Sequence, residues 1–421
     1  MRRLVVVAAL AAAGLAWPGS ADARSGPCLV PGSTLRCALW TANVVYIGDA
    51  DTFYADLRGD GSRRIYTVRI TGINAMEQTV YSDKPWERRG YCHSLEATAR
   101  LEQLIRRGGG IVRLAALDAS SASRRRWRRA VAVKIKGRWR DVGRILVSEG
   151  HAVWLSNSEE WAWNESYSRL AERAAAAHRG IWNSSYCGTG PSEGVPLRLT
   201  VNNDQPEWVR IRNLDPVRSV NLGGWTLGDS TPSRLTLPDW ATVTPGETLT
   251  IRVGKGAATW TELFWPRKNV FDNTGANGVG DGAYLFDPQG DLRAWMTYPC
   301  RLGCTDPYAG ALELTADATG AESVTVRNVG TAAVDLDGYR LQSPPHIYAF
   351  GIGTTLAPGA ELVVDTQGDP DEDTRFEKHW GRATPILNAS GDVVRMLSLR
   401  GVEVACFAYG IRSCARPGPS T

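Results

Sequence analysis

Apolar residues recur along the first half of the chain with two periods. Val44–Leu57, Arg64–Ile73 and Gly110–Leu117 alternate or are rich in β-branched residues, as half-buried strands do. Val131–Trp139 alternates too, with Gly137 marking a turn. Ser94–Arg107 instead places Leu95, Leu101, Leu104 and Ile105 at helical spacing and runs into three glycines. Asp141–Glu149 and Ser166–His178 predict two more helices, each followed by glycine, at Gly150 and Gly180. Strands, a helix, more strands and two helices make an α+β unit over residues 40–187.

Beyond Cys187 a Gly/Ser/Pro-rich linker, 188–194, separates this unit from a region without helix signals. Short strands between Gly, Pro and Asp take over, and they repeat. EWVRIRN (207–213) returns as ESVTVRN (322–328), GWTL (224–227) as GYRL (338–341), and TPGETLTI (244–251) as APGAELVV (357–364). Cys304 and Cys414 fall at matching ends of the two copies. The pattern predicts two tandem all-β sandwiches, 195–304 and 305–414, each of ordinary size for that architecture, with a tail at 415–421.

Composition adds a destination. Residues 1–23 read as a signal peptide: Arg2 and Arg3, an apolar run from Leu4 to Trp17, and Ala21-Asp22-Ala23 as a cleavage signal. The run is shorter than a membrane span, and no transmembrane anchor follows, so the expectation is a secreted or cell-envelope-associated protein starting with a short N-terminal segment, 24–39. Eight cysteines allow on the order of a hundred disulfide patterns. Close pairs stand out at Cys28/Cys37, Cys300/Cys304 and Cys406/Cys414, leaving Cys92 with Cys187. Zinc is the other use of such thiols, but an oxidising destination and the scatter of the five histidines argue against it. The net charge of +4 implies no partner by itself.

Candidate chemistry sits where two strands end. Asp49-Ala50-Asp51-Thr52 and Asn74-Ala75-Met76-Glu77 offer Asp49, Asp51, Asn74, Glu77 and the backbone carbonyl of Ala75 as hard oxygen donors for Ca²⁺ or another divalent cation. Arg69 lies in the apolar run YTVRITGI and needs an anionic partner. Farther on, ASRRRWRRAVAVKIKGRWR interleaves basic residues with Trp127 and Trp139, a combination suited to phosphates and stacked bases. A cation, a carboxylate and two arginines are the equipment of phosphodiester hydrolysis.

Taken in order, GDADTFYAD, YTVRITGINAMEQ, RWRRAVAVKI, GRILVSEGHAVW and RLAERAAAAHRGIW resemble the staphylococcal nuclease-like (thermonuclease) family over residues 40–187. The resemblance implies an α+β OB-fold barrel with three helices that cleaves DNA and RNA with Ca²⁺. It implies Asp51 as metal ligand with Asp49 behind it, Arg69 and Arg129 as the catalytic arginines, and Glu77 acting on the attacking water. Arg126 and Trp127 fall at nucleic-acid-binding positions. Three residues depart from the family pattern: Ala50 for glycine, Met76 for proline and Asn74 for the second metal-binding aspartate. The amide keeps a carbonyl oxygen but removes one charge.

EWVRIRNLD, VNLGGWTLGD and TVTPGETLTIRVG resemble the lamin-tail family of immunoglobulin-like domains, the second copy less closely. Trp225 and Tyr339 are expected core aromatics. Such domains imply modules that bind protein, DNA or the cell envelope. Arg58-Gly59-Asp60 reads as a hairpin turn and the acidic run 369–373 as solvated surface. The expected function is a secreted divalent-cation-dependent nuclease with two appended binding modules. The alternatives are a catalytically impaired nucleic-acid-binding protein and a surface-tethering protein with a vestigial barrel.

Overall fold

The computed structural model describes residues 23–30, 32–188, 194–203, 206–271 and 280–414. The segment expected as a signal peptide (1–23) lies outside the described residues except for Ala23, as do most of the expected linker (189–193) and the tail (415–421).

The alternating runs of the first unit form five strands, β1 (Arg36–Ile47), β2 (Thr52–Leu57), β3 (Ile65–Ile70), β4 (Ile111–Ala116) and β5 (Arg126–Ile135). They close in the order β1-β2-β3-β5-β4-β1, with β3 and β5 parallel and every other pair antiparallel. Closure removes the free sheet edges that open β-sheets must protect. The segment expected to precede the barrel joins it: Arg24–Pro27 pairs with the start of β1, and Cys28–Cys37 staples the turn between them.

Three helices cover the barrel. Helix α1 (Ser94–Arg107) has the expected bounds and buries Ala97, Leu101, Leu104 and Ile105, each Leu or Ile contributing roughly 1.5–3 kcal/mol. Leu95, expected on that face, is exposed. Asp141 caps α2 (Val142–Ser148) by accepting from the Arg144 amide at 3.0 Å, and also accepts from the Tyr167 hydroxyl at 2.7 Å. Helix α3 (Asn164–Ala176) starts earlier than its spacing predicts, because the short 3₁₀ turn Trp161–Trp163 runs directly into it.

The duplicated half forms two β-sandwiches of one topology. In the first, Leu197–Asn202, Trp208–Asn213, Thr248–Val253 and Glu262–Trp265 face a sheet ordered Arg234–Thr236, Thr226–Gly228, Asp281–Phe286, Leu292–Tyr298. The second repeats this arrangement from Leu312–Asp317 to Glu403–Ala408. The repeated Arg-Asn signature is structural. Asn213 and Asn328, both fully buried, each donate to two backbone carbonyls and accept one amide at the same corner. Trp225 lies in the core as expected, whereas Tyr339 is half-buried because its hydroxyl reaches out to Asp306.

The first sandwich is packed against the barrel. Tyr284, Phe286 and Leu292 belong to the barrel's own apolar cluster, and the Trp295 and Trp182 rings meet at 5.2 Å. The Cys187 amide donates to Asp291 at 2.9 Å, beside the Cys92–Cys187 disulfide. Glu172 of α3 accepts from the Arg301 amide and from Arg400 of the second sandwich at 2.7 Å. Arg210–Asp337 and Arg212–Asp335 ion pairs link the two sandwiches. The other two disulfides are Cys300–Cys304 and Cys406–Cys414. Among the described residues no helix is long and apolar enough to cross a membrane.

Candidate active site

The two acidic clusters meet because of turns at three places. Before β2, the Gly48 and Asp49 amides both donate to the Thr52 carbonyl, at 3.0 and 3.1 Å, folding the first cluster into a tight loop. The β2–β3 register sets Thr52 opposite Arg69, and the Ile70 amide donates to the Asp51 carbonyl at 2.8 Å. After β3 the chain reverses at Gly72, whose φ of +75° suits glycine and where a Cβ would stand 2.9 Å from the Tyr167 ring. That reversal returns Ile73–Ala75 to the first cluster, pairing it with Ala152–Trp154.

The result is a buried charged group. Asp51 is 1% exposed, and its Oδ2 accepts the Ala75 amide at 2.8 Å while Oδ1 takes the Thr52 hydroxyl at 2.9 Å and pairs with the Arg69 guanidinium. The other terminal nitrogen of Arg69 donates to Asn74 Oδ1 at 2.5 Å. Asp49 accepts the Asp51 amide at 3.2 Å. Gln78 ties the second cluster to its surroundings, donating to the Gly48 carbonyl at 3.0 Å and to Thr98 of α1 at 2.8 Å.

Three carboxylates, Asp49, Asp51 and Glu77, meet the charges of Arg69, Arg126 and Arg234 here. Burial, followed by repulsion from Asp51, pushes Asp49 up to about 8. Glu77 is raised by the same two causes, partly offset by the three arginines. The candidate ligand atoms are all oxygens, the donor type that hard divalent cations take. Asp49, Asp51 and Glu77 do not bring three carboxylate oxygens within 4.8 Å of one another. The Asp51 and Asn74 side-chain oxygens are taken up by Arg69, the Thr52 hydroxyl and the Ala75 amide, so an ion bound by Asp51 and Asn74 would have to displace Arg69 from them.

Arg129, expected as the second catalytic arginine, is not brought to this group. It is fully buried and donates to the backbone carbonyls of Ser121, Arg128 and Ala119 at 2.8, 2.7 and 2.7 Å. Its guanidinium lies over the adjoining Trp40 and Trp127 rings, 4.6 and 4.5 Å from their centroids. Burial lowers it to about 10, against the opposing effect of Glu160. Trp127, also in contact with Tyr66 at 4.4 Å, belongs to that stack, and Trp139 lies under Arg113 instead. Arg126 is half-buried, and its charge acts on Glu77.

Two groups near the site were not singled out from the sequence. Tyr81 is half exposed, at 51%, and is pushed up to about 12 by burial and then by Asp49, Glu77 and Asp51. Arg234 comes from the first sandwich, 158 positions after Met76, whose sulfur its Nη2 approaches at 3.6 Å. Only the Tyr81 position, four residues beyond Glu77 in a strand-like stretch, could have drawn notice in the sequence.

Elsewhere, Arg58-Gly59-Asp60 forms the β2–β3 turn, with Asp60 accepting the Ser62 amide at 2.9 Å. The acidic run 369–373 is exposed. No curated relative matches the chain. Residues 191–300 and 311–410 match the family model of the lamin tail domain, so the two sandwiches are lamin tail domains.

Proposed function

We propose that the chain is a divalent-cation-dependent nuclease with an OB-fold barrel of the staphylococcal nuclease-like type, acting on DNA, RNA or both. The observation that carries this reading is the convergence of Asp49, Asp51, Arg69, Asn74 and Glu77 at one end of a β1-β2-β3-β5-β4 barrel. Asp51 and the carbonyl oxygens of Asn74 and Ala75 would hold the cation, Ca²⁺ being the hard ion that such an oxygen set suits. Bound there, it supplies positive charge to the phosphate. Arg69, whose terminal nitrogens already reach Asp51 and Asn74, carries charge between those oxygens and the scissile phosphate. Glu77, raised and partly exposed, takes the proton of the attacking water as the new P–O bond forms. The bond to the leaving oxygen then breaks, and that oxygen is protonated. Arg126 takes the second arginine's place beside Glu77. The leader-like N-terminus and four disulfides support export.

A second reading, nucleic-acid binding without cleavage, is favoured by the amide at position 74 and its bond to Arg69. Cleavage of single-stranded DNA, double-stranded DNA and RNA, measured with Ca²⁺, Mg²⁺, Mn²⁺ and chelator, separates the two. The nuclease reading expects metal-dependent cleavage that falls roughly 10²–10⁴-fold in Glu77→Gln. Cation-independent binding with no cleavage would establish the second reading.

A further inference from the structure

Arg234 starts the edge strand Arg234–Thr236 of the first sandwich, next to Thr226–Gly228. The second and third strands in from that edge present Tyr284, Phe286 and Leu292 to the barrel, so the edge is held against the candidate site. The Arg234 guanidinium lies 4.3 Å from the Phe286 ring centroid and 5.8 Å from that of Tyr91, with Nη2 beside Met76. It forms no ion pair among the described residues, yet its charge reaches Glu77. Asp229 of the same domain and then Glu77 act on this half-buried arginine, but neither forms an ion pair with it, so a guanidinium held over two rings keeps donors for an anion that arrives with substrate. The cleft beside it, about 640 Å³, is lined by Arg267, Lys268, Asn269 and Trp265. It adds the charges of Arg267 and Lys268 to that of Arg234.

The duplicated domain gives an internal comparison. Gly228 pairs with Arg234, and its counterpart Gln342 pairs with Ile347 in the same topology. The copy whose sheet packs its apolar face on the barrel carries the cation; the other carries an apolar residue there.

We propose that the first lamin tail domain is part of the substrate site, with Arg234 binding a phosphate next to the scissile one and Arg267 and Lys268 guiding the strand away from it. This rests on the nucleic-acid reading of the barrel. It makes the sandwich a wall of the binding groove rather than a distant tether.

The test uses the full chain and a labelled single-stranded oligonucleotide of about 16 nucleotides. Binding is measured by fluorescence anisotropy in chelator over a range of salt, and cleavage is measured separately. Arg234→Gln should weaken binding roughly tenfold and flatten the log–log salt dependence by about 0.7, the loss of one phosphate contact on a single strand. Arg234→Lys should recover the salt slope. Arg267→Gln with Lys268→Gln, exposed positions that leave the packing intact, should lower the slope by about 1.4. Unchanged affinity and slope in both the Arg234→Gln and the double variant would overturn the proposal, whether or not the wild type cleaves. Loss of cleavage in Glu77→Gln with unaltered binding in those variants would leave the nuclease standing and remove the sandwich from its site. If the wild type binds no oligonucleotide, both readings fall together, whereas weakened binding without any cleavage supports the groove and refutes the nuclease.

Discussion

Arg129→Ala distinguishes a structural arginine from a catalytic one. The side chain satisfies three backbone carbonyls of the 119–128 segment at 2.7–2.8 Å and lies over two adjoining tryptophans. It also opposes Glu160, a fully buried carboxylate that accepts the Leu117 amide at 2.7 Å and the Asp118 amide at 3.2 Å. Hydrogen bonds from a charged donor contribute about 1.5–3 kcal/mol each and do not add. Counted without full additivity, three such bonds and the two cation–π contacts give an expected loss of about 3–5 kcal/mol. Because three packed domains need not unfold in one step, the assay is native-state amide exchange across β4 and β5. Exchange there should rise roughly a hundredfold or more, at tenfold per 1.4 kcal/mol. Arg129→Lys, which keeps the charge without the fork, should fall between. If Arg129→Ala abolished cleavage while exchange stayed at the wild-type rate, the guanidinium would have to leave its tryptophan stack to act on phosphate, and this reasoning would be refuted.

Other substitutions probe the rest of the arrangement. Asn74→Asp restores a carboxylate to the oxygen set and should lower the cation concentration for half-maximal cleavage by roughly tenfold, read from metal titrations of activity. His93 stacks on His151, with Nε2 and Nδ1 at 3.0 Å, and is lowered to about 4 by burial and then by His151. Its unfolded form takes up a proton first, so stability is retained above about pH 6.5 and is lost as pH falls through about 4, by at most about 3 kcal/mol before solvent screening reduces it. His93→Asn, which tolerates the left-handed φ of 68° there, should flatten that acid slope in thermal melts. Glu172→Gln weakens the Arg400 and Arg301 contacts that join barrel to sandwiches. It should speed proteolysis at 188–194 several-fold while leaving the barrel's own exchange unchanged.

The sequence carried the local structure well and the side-chain facing poorly, for identifiable reasons. The 3.6-residue period and the three glycines placed α1 to the residue. The repeated EWVRIRN and ESVTVRN predicted two copies because each asparagine must fill the same carbonyl-lined corner. Arg129 is different. The parallel β3–β5 register puts Arg128 opposite Arg69 and Arg129 opposite Ile70. One residue along a strand changes the face a side chain occupies, and register between distant strands is not written in either strand alone. Arg234 was out of reach for a further reason: its relevance depends on how one domain packs on another.

Asn74 and Arg234 bear on one quantity, the charge of the cluster around Glu77. An aspartate at position 74 would add a negative charge beside Asp49 and Asp51. Here an amide accepts from Arg69 instead, and a second domain adds a cation whose charge reaches Glu77. Both features shift the site away from holding a bare divalent ion and toward holding a polyanion. Sites with more ligand charge bind Ca²⁺ more tightly, whereas phosphate binding gains from each added guanidinium. Asn74→Asp and Arg234→Gln should therefore act in the same direction on cation affinity and in the same direction, downward, on oligonucleotide affinity measured in chelator. The side chains belong to one electrostatic group, so their combined effect should differ from the sum of the single effects. Strict additivity in the double variant would place Arg234 outside the field of the cluster, and the first lamin tail domain would then be only a neighbour of the site.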